Sequence, residues 1–145
     1  MAQFQPAFER LSKIEGGYVN NKNDKGGETF MGICRKYYPN NYMWTLIDKI
    51  KLEVGNKVKL INERAKKSND IINQVRGIYR QNYWNKLRLD EVPSQKIAQN
   101  LFDDAVNRGT AAAIKTAQKL VKPPITGRMS NELINRLSKY GQVKY

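Results

Sequence analysis

The apolar positions near the start of the chain repeat with the period of an α-helix. Phe4, Phe8 and Leu11 fall at i, i+4 and i+7, which places them on one helix face. Four residues beyond Leu11 the same face carries Glu15, an acid where an apolar side chain is expected. Two glycines follow and predict the helix end, because glycine adopts C-cap conformations at little cost. The pattern therefore predicts a carboxyl group in the last turn of the first helix.

This position predicts an unusual environment for the Glu15 carboxyl. The negative end of the helix dipole disfavours a carboxylate, and burial against Leu11 and Phe8 disfavours its charge as well. Both effects raise the pKa of Glu15, as a general acid working near neutral pH requires. The alternative is a helix that frays before Glu15 and leaves the carboxyl in solvent, since fully buried glutamates are rare.

The polar stretch after the first helix predicts tight turns between short strands. Residues 20–28 are rich in Asn, Asp and Gly, and β-prone pairs on both sides of them indicate a small β-hairpin or sheet. Asp24 lies on it, nine residues after Glu15, and a hairpin folded over the helix end brings the two carboxyls across a cleft. Two carboxylates in different environments suit glycoside hydrolysis. The alternative is that Asp24 caps its own turn.

The rest of the apolar pattern predicts a mainly α (α+β) protein. Residues 31–38 read as a short helix, and Gly55 with Asn56 separates two helices within residues 42–67. Ser68 or Asn69 begins a helix that runs to about Trp84. Ser94 and Ser130 begin two more helices, and an alanine-rich helix over residues 110–122 lies between them.

Composition excludes several kinds of catalytic site. The 145 residues include no histidine and a single cysteine, Cys34, so no internal disulfide, Cys–His nucleophile or Ser–His–Asp triad is available. The usual His/Cys zinc sites are also excluded, and we expect no metal and no cofactor. Carboxylates remain as the plausible hydrolytic apparatus. A net charge of +13 predicts a polyanionic partner, either nucleic acid or the bacterial envelope.

Three blocks of the first third resemble a known enzyme family. They are E-G-G-Y at 15–18, D-K-G-G-E-T at 24–29 and G-I at 32–33. They resemble the signature of the glycoside hydrolase family 108 muramidases, formerly called secretion-activating proteins, and more distantly the phage-type lysozymes. The resemblance implies a two-lobed, lysozyme-like fold with Glu15 as general acid. By the more distant resemblance to the phage-type lysozymes, Asp24 and Thr29 hold the water of an inverting attack. Tyr18 and Thr29 are expected to bind substrate. An ordinary strand threonine is the alternative for Thr29.

A second block, L-F-D-D-A-V-N-R-G at 101–109, resembles a helix of the same family that faces the first lobe. Asp103 and Asn107 are four residues apart and so share a helix face. They either bind substrate or lock the lobes together. The resemblance implies a catalytic part over residues 1–90 and a helical, peptidoglycan-binding-like part over residues 91–145, packed as one compact unit. Residues 123–130 depart from the acidic, glycine-rich turn of the family.

The expected function is that of an endolysin-like N-acetylmuramidase, of phage or prophage type, that cleaves the MurNAc-β-1,4-GlcNAc bond of peptidoglycan. One alternative is a lytic transglycosylase that uses Glu15 alone, and another is a non-enzymatic basic module that binds polyanions. Lysines interleaved through residues 42–67 form a basic face, which is either ordinary solvated surface or a contact with the anionic envelope. We expect no nucleic-acid partner, since no helix-turn-helix or RNA-binding signature is present, and we expect a monomer.

The expected route to the cell wall follows from hydropathy. No apolar run approaches the roughly 18 residues of a membrane span. The first ten residues lack the basic region and apolar core of a signal peptide. We therefore expect synthesis in the cytoplasm and action on the wall after holin-type release, lysis or dedicated export.

Overall fold

The structure, a computed structural model, describes residues 1–21, 23 and 27–144, with side chains through residue 140. In this part of the chain the helices are α1 (Phe4–Ile14), α2 (Tyr42–Val54), α3 (Val58–Lys67), α4 (Asn69–Tyr79), α5 (Gln95–Arg108), α6 (Thr110–Val121) and α7 (Asn131–Lys144). The strands are β1 (Tyr18–Asn20), β2 (Glu28–Phe30) and β3 (Ile33–Cys34). A π-helical turn, Arg80–Trp84, continues α4, and a 3-10 helix spans Leu89–Glu91. The predicted class, mainly α and lysozyme-like with a small sheet after the first helix, is confirmed.

Serine caps start three of the helices where the sequence predicts them. The hydroxyls of Ser68, Ser94 and Ser130 each accept a hydrogen bond from the backbone N–H three residues on, at 3.3, 3.2 and 3.1 Å respectively. Each bond satisfies a donor that the first helical turn leaves open. Gly55 ends α2 and Gly109 ends α5 with positive φ angles of 72° and 95°, a conformation that glycine adopts without strain.

The predicted short helix over residues 31–38 is wrong. Met31 and Gly32 have φ angles of 49° and 82°, and a right-handed helix cannot continue through such residues. Ile33–Cys34 forms the third strand instead, in which Cys34 pairs with Thr29. The turn at residues 31 and 32 thus converts the predicted hairpin into a three-stranded sheet.

The sheet has the order β1-β2-β3, and both pairs of neighbouring strands are antiparallel. Tyr18 pairs with Phe30, and Asn20 pairs with Glu28. Because side chains alternate between the faces of a strand, Tyr18, Glu28 and Phe30 lie on one face of the sheet. Thr29 lies on the opposite face.

The chain divides into two compact units. Unit 1 comprises Met1–Glu9 together with the chain from Tyr79 onward, and unit 2 comprises Arg10–Ile78. Unit 2 thus contains the sheet, α2 and α3, whereas unit 1 contains α5, α6 and α7. The functional division at residue 90 stays a prediction.

Unit 1 has an aromatic core. We call its five ring side chains the aromatic cluster: Phe4, Phe8, Tyr79, Trp84 and Phe102. Neighbouring rings in it have centroids 5.6 to 6.2 Å apart, mostly edge to face, a geometry that the ring quadrupoles favour. Trp84 is fully buried, and its indole Nε1 donates to Asp90 at 2.7 Å.

Residues 126–128, within the stretch that departs from the family pattern, are held by one buried side chain. The Oε1 atom of Gln118 accepts from the backbone N–H groups of Thr126 and Gly127, at 3.0 and 3.1 Å. Its Nε2 atom donates to the carbonyl oxygen of Arg128 at 3.1 Å. Gln118 is only 1% exposed. Its side chain thus satisfies backbone groups of residues 126–128 and holds this turn against α6 in unit 1.

Candidate active site

Glu15 stands at the carboxyl end of α1, within unit 2. The last residue of the helix is Ile14, and the backbone N–H of Glu15 still donates to the carbonyl of Leu11 at 2.8 Å. The helix therefore does not fray before Glu15. The predicted apolar residues, Phe4, Phe8 and Leu11, are buried, whereas Glu15 is half-buried rather than buried.

The residues that follow form a turn, which we call the acid-bearing turn (residues 15–18). Two hydrogen bonds hold its far end. The carbonyl of Gly17 accepts from the backbone N–H of Met31 at 3.3 Å, and the backbone N–H of Tyr18 donates to Oδ1 of Asn62 at 3.0 Å. The turn is therefore fixed at its start by α1 and at its end by β2–β3 and α3.

A group of charged residues surrounds the buried face of the sheet. Oε2 of Glu28 accepts from the Tyr18 hydroxyl at 2.5 Å and from Nζ of Lys51 at 3.0 Å. Oε1 of Glu28 accepts from Nη1 of Arg35 at 2.8 Å. Arg35 also forms a bidentate ion pair with Asp48, in which both hydrogen bonds are 2.8 Å long. We call these five residues the Glu28 network. The Glu28 side chain is only 11% exposed, so the network joins β1 and β2 to α2 inside unit 2.

The network keeps Glu28 ionised. Burial disfavours its charge, but the hydrogen bonds from Tyr18, Arg35 and Lys51 outweigh burial, so the pKa of Glu28 lies below its usual value. Burial and the hydrogen bond to Glu28 raise the pKa of Tyr18 above its usual value. The hydrogen bonds from Arg35 lower the pKa of Asp48. Neither Glu28 nor Asp48 is thus suited to donate a proton near neutral pH.

The other predicted hairpin residues do not lie together. Thr29 is half-buried, and its hydroxyl contacts the Gly27 carbonyl at 3.5 Å and Sγ of Cys34 at 3.8 Å. Because Thr29 and Tyr18 lie on opposite faces of the sheet, they cannot line one side of it together. Asp24 lies outside the described residues.

Tyr18 is buried, and its hydroxyl is used by Glu28. It also lines a cavity of about 260 Å³ in unit 2, together with Asn20, Asn56, Val58 and Ile61. Substrate binding by Tyr18 stays a prediction.

Asp103 and Asn107 belong to α5 in unit 1. Asp103 is half-buried and Asn107 is exposed, and Asp104, the next residue after Asp103, pairs with Arg108 at 2.5 Å. The choice between substrate binding and locking the lobes stays a prediction. Neither residue lines the cavity of about 550 Å³ that unit 1 forms among α5, α6 and α7.

Sequence reasoning missed several residues that hold this region, among them Glu28 and Asn62. Glu28 had a detectable signal, since it stands two positions before buried Phe30 and so shares the inward face of a strand. Asn62 had no detectable signal in the sequence, because its contact with Tyr18 joins residues that are 44 positions apart. Among the residues the structure describes, no group of three or more His, Cys, Asp or Glu side chains is placed to hold a metal ion. Nor does any described helix combine the length and apolar character needed to cross a bilayer.

Comparison with known proteins identifies the family. The family model described as glycosyl hydrolase 108 matches residues 8–109. The structure of Brucella abortus SagA is similar to this one, with a TM-score of 0.62 and 28% sequence identity, over 94% of this chain and 68% of that chain. None of the curated proteins matches the chain. The family match covers most of the chain and contradicts the non-enzymatic alternative: the protein belongs to the glycosyl hydrolase 108 family and is a glycoside hydrolase.

Proposed function

We propose that this glycoside hydrolase cleaves the MurNAc-β-1,4-GlcNAc bond of peptidoglycan with Glu15 as general acid. The family indicates peptidoglycan as the substrate class. The observation that carries the assignment is the position of Glu15, half-buried at the end of α1 in a turn that hydrogen bonds hold at both ends. A proton donor needs such a fixed position relative to the bond that it cleaves.

The ionised state of Glu28 and Asp48 supports the assignment of Glu15 as the general acid. The two carboxylates of the Glu28 network are engaged by Arg35 and have lowered pKa values. They serve as structural anions around the sheet. Glu15 lies on the turn that precedes β1.

The proposed reaction needs two groups. Glu15 protonates the glycosidic oxygen while the bond from that oxygen to the sugar carbon breaks, and positive charge develops at the carbon. In an inverting reaction, water held by Asp24 and the Thr29 hydroxyl attacks the carbon and passes its proton to the Asp24 carboxylate. The reaction consumes one water for each bond cleaved.

The decisive variant is Glu15→Gln, which keeps the size of the side chain and removes its proton. We expect lysis of purified peptidoglycan to fall about 100- to 10,000-fold, the usual contribution of a general acid, with an unchanged thermal midpoint. Glu9→Gln is the matched control, because Glu9 is an exposed glutamate of the same helix, and we expect it to keep full activity. Full lysis by Glu15→Gln would refute the assignment.

The products separate hydrolysis from the transglycosylase alternative. Mass spectrometry of muropeptides released by the wild-type protein should show hydrated reducing ends. Ends lighter by one water, as in 1,6-anhydro products, would instead indicate a lytic transglycosylase.

The Glu15→Gln variant can also be used to test how the enzyme binds the cell wall. Five lysines of the predicted basic face are exposed: Lys49, Lys57, Lys59, Lys66 and Lys67. The sixth, Lys51, belongs to the Glu28 network instead. We propose that the exposed lysines attract the enzyme to the anionic surface of the cell wall, where it acts after release or export. Binding of Glu15→Gln to isolated walls should then weaken as salt rises.

A further inference from the structure

The amide of Asn62 lies directly against the acid-bearing turn. Asn62 is a half-buried residue of α3, and its Oδ1 atom accepts the backbone N–H of Tyr18 at 3.0 Å. This hydrogen bond links α3 to the segment that leaves Glu15. It satisfies a backbone donor at the first residue of β1, where an unpaired buried N–H group would be costly.

The same amide explains one of the two glycines after Glu15. A Cβ atom added at Gly17 would lie 1.9 Å from Oδ1 and 2.5 Å from Cγ of Asn62. A Cβ atom added at Gly16 would meet no atom within 4 Å. Gly17 is therefore needed for the close approach of Asn62, whereas Gly16 is under no such constraint.

Gly16 and Gly17 make the backbone of the turn flexible, because glycine loses more conformational freedom on folding than other residues. Contacts with other segments must therefore restrain this backbone. At the start of the turn, the hydrogen bond from Glu15 to Leu11 provides the restraint. At its end, the restraints are Asn62 and the bond from Met31 to Gly17, which is longer at 3.3 Å.

We propose that Asn62 is a positioning residue for Glu15. Its side chain fixes the end of the acid-bearing turn and thereby holds the carboxyl in line with the glycosidic oxygen. The proposal rests on the proposed role of Glu15 as general acid. A purely structural role, in which Asn62 only joins α3 to β1, would affect stability without a specific effect on the chemical step.

The first test separates these roles kinetically. Asn62→Ala should lower kcat on soluble peptidoglycan fragments by about 10- to 100-fold, the cost of misplacing a catalytic group by a fraction of an ångström to one ångström. KM should change little. Asn62→Asp keeps an oxygen acceptor at the same place and should recover most of kcat. Glu63→Ala, an exposed change on the same helix, should leave kcat unchanged.

The second test uses the close approach to Gly17. Gly17→Ala alone should lower both kcat and the thermal midpoint, since the new methyl group must displace the amide. In an Asn62→Ala background the same change should cost little more, because the obstructing atoms are gone. Gly16→Ala controls for the stiffening of the turn and should leave the thermal midpoint unchanged. Additive losses for Gly17→Ala and Asn62→Ala would overturn the proposed contact.

The outcomes distinguish this inference from the assignment of Glu15. If Glu15→Gln is inactive while folded Asn62→Ala keeps the wild-type kcat, the positioning role is refuted and the general acid stands. If Glu15→Gln lyses walls normally, the assignment of Glu15 fails, and with it the positioning role. The coupling of Gly17 to Asn62, measured by thermal unfolding, would still report whether the contact exists. Should Asn62→Ala not fold, Asn62→Ser at a lower temperature replaces it with the same expected loss of kcat.

Discussion

The aromatic cluster of unit 1 and the Glu28 network of unit 2 each consist of five side chains, but different forces hold them. The rings of the aromatic cluster are buried and pack mainly on one another, although Asp90 accepts from the Trp84 indole and the Arg80 guanidinium lies 5.3 Å from the centre of the Phe4 ring. The Glu28 network joins two carboxylates to an arginine and a lysine and leaves several of these side chains partly exposed. Apolar burial depends little on pH, whereas ion pairs weaken when a carboxylate is protonated or when salt screens them.

This difference shows which part of the enzyme responds to solution conditions. We expect the helical core of unit 1 to keep its stability over a wide pH range, since apolar burial holds it. The sheet beside the acid-bearing turn is held by groups that titrate. We therefore expect acid to loosen the region of the candidate site before it disrupts the helical core.

The largest effect should come from the centre of the aromatic cluster. Phe102 is fully buried and packs edge to face on Phe4, Tyr79 and Trp84. Phe102→Ala should reduce the free energy of unfolding by about 3–5 kcal/mol, through lost burial and the cavity that remains. Urea unfolding followed by circular dichroism measures it.

If apolar burial holds the aromatic cluster, the loss of unfolding free energy in Phe102→Ala should not depend on pH or salt. It should be the same at pH 7 and pH 5 and in low and high salt, since no charge is removed. Phe102→Leu, which keeps most of the volume, should lose less than half as much. A loss that changed strongly with salt would show that charges contribute to the aromatic cluster.

A smaller effect that depends on pH should come from the Glu28 network. Glu28→Gln should cost about 1–3 kcal/mol at pH 7, the range for hydrogen bonds to charged groups. Because the pKa of Glu28 is lowered on folding, its contribution is present above the unfolded value of about 4.5. The contribution disappears as pH falls through the lower folded value. Wild type and Glu28→Gln should therefore converge in stability as pH falls below about 4.5 and through the lower folded pKa of Glu28.

The control for this titration is an exposed glutamate in an ion pair. Glu132 contacts Arg136 one helical turn away, and both side chains are well exposed. Glu132→Gln should change stability by at most about 0.5 kcal/mol and leave the acid dependence as in wild type. If Glu28→Gln and wild type kept a constant difference throughout acid titration to the point of unfolding, the network would not be the titrating element.

Local signals in the sequence were sufficient for most helices. The 3.6-residue pattern and the serine caps at positions 68, 94 and 130 predict α4, α5 and α7, because both features act over one or two turns. The third strand was missed because its formation depends on positive φ angles at Met31 and Gly32, and methionine rarely adopts such an angle.

The candidate site was only partly predictable for the same reason. The position of Glu15 at the end of a helix follows from residues within one turn of it, and the structure bears out that position. The contacts of Tyr18 with Asn62 and Glu28 join segments that are distant in sequence, and no local pattern encodes them. The placement of Tyr18 and Thr29 on opposite faces depends on strand register, which became known only with the pairing of Tyr18 and Phe30.

The smallest effect should come from Tyr18→Phe, which removes one hydroxyl from the Glu28 network and keeps the ring. Arg35 and Lys51 continue to donate to Glu28, so the loss of stability should be about 0.5–1.5 kcal/mol. The pKa of Glu28 should rise, because one of the hydrogen bonds that lower it is gone, and the acid unfolding midpoint should move to higher pH. KM for peptidoglycan fragments should stay unchanged, since the hydroxyl faces Glu28. A clear rise in KM without a shift of the acid midpoint would mean that the Tyr18 hydroxyl contacts the sugar, and that the hydrogen bond to Glu28 is not its main role.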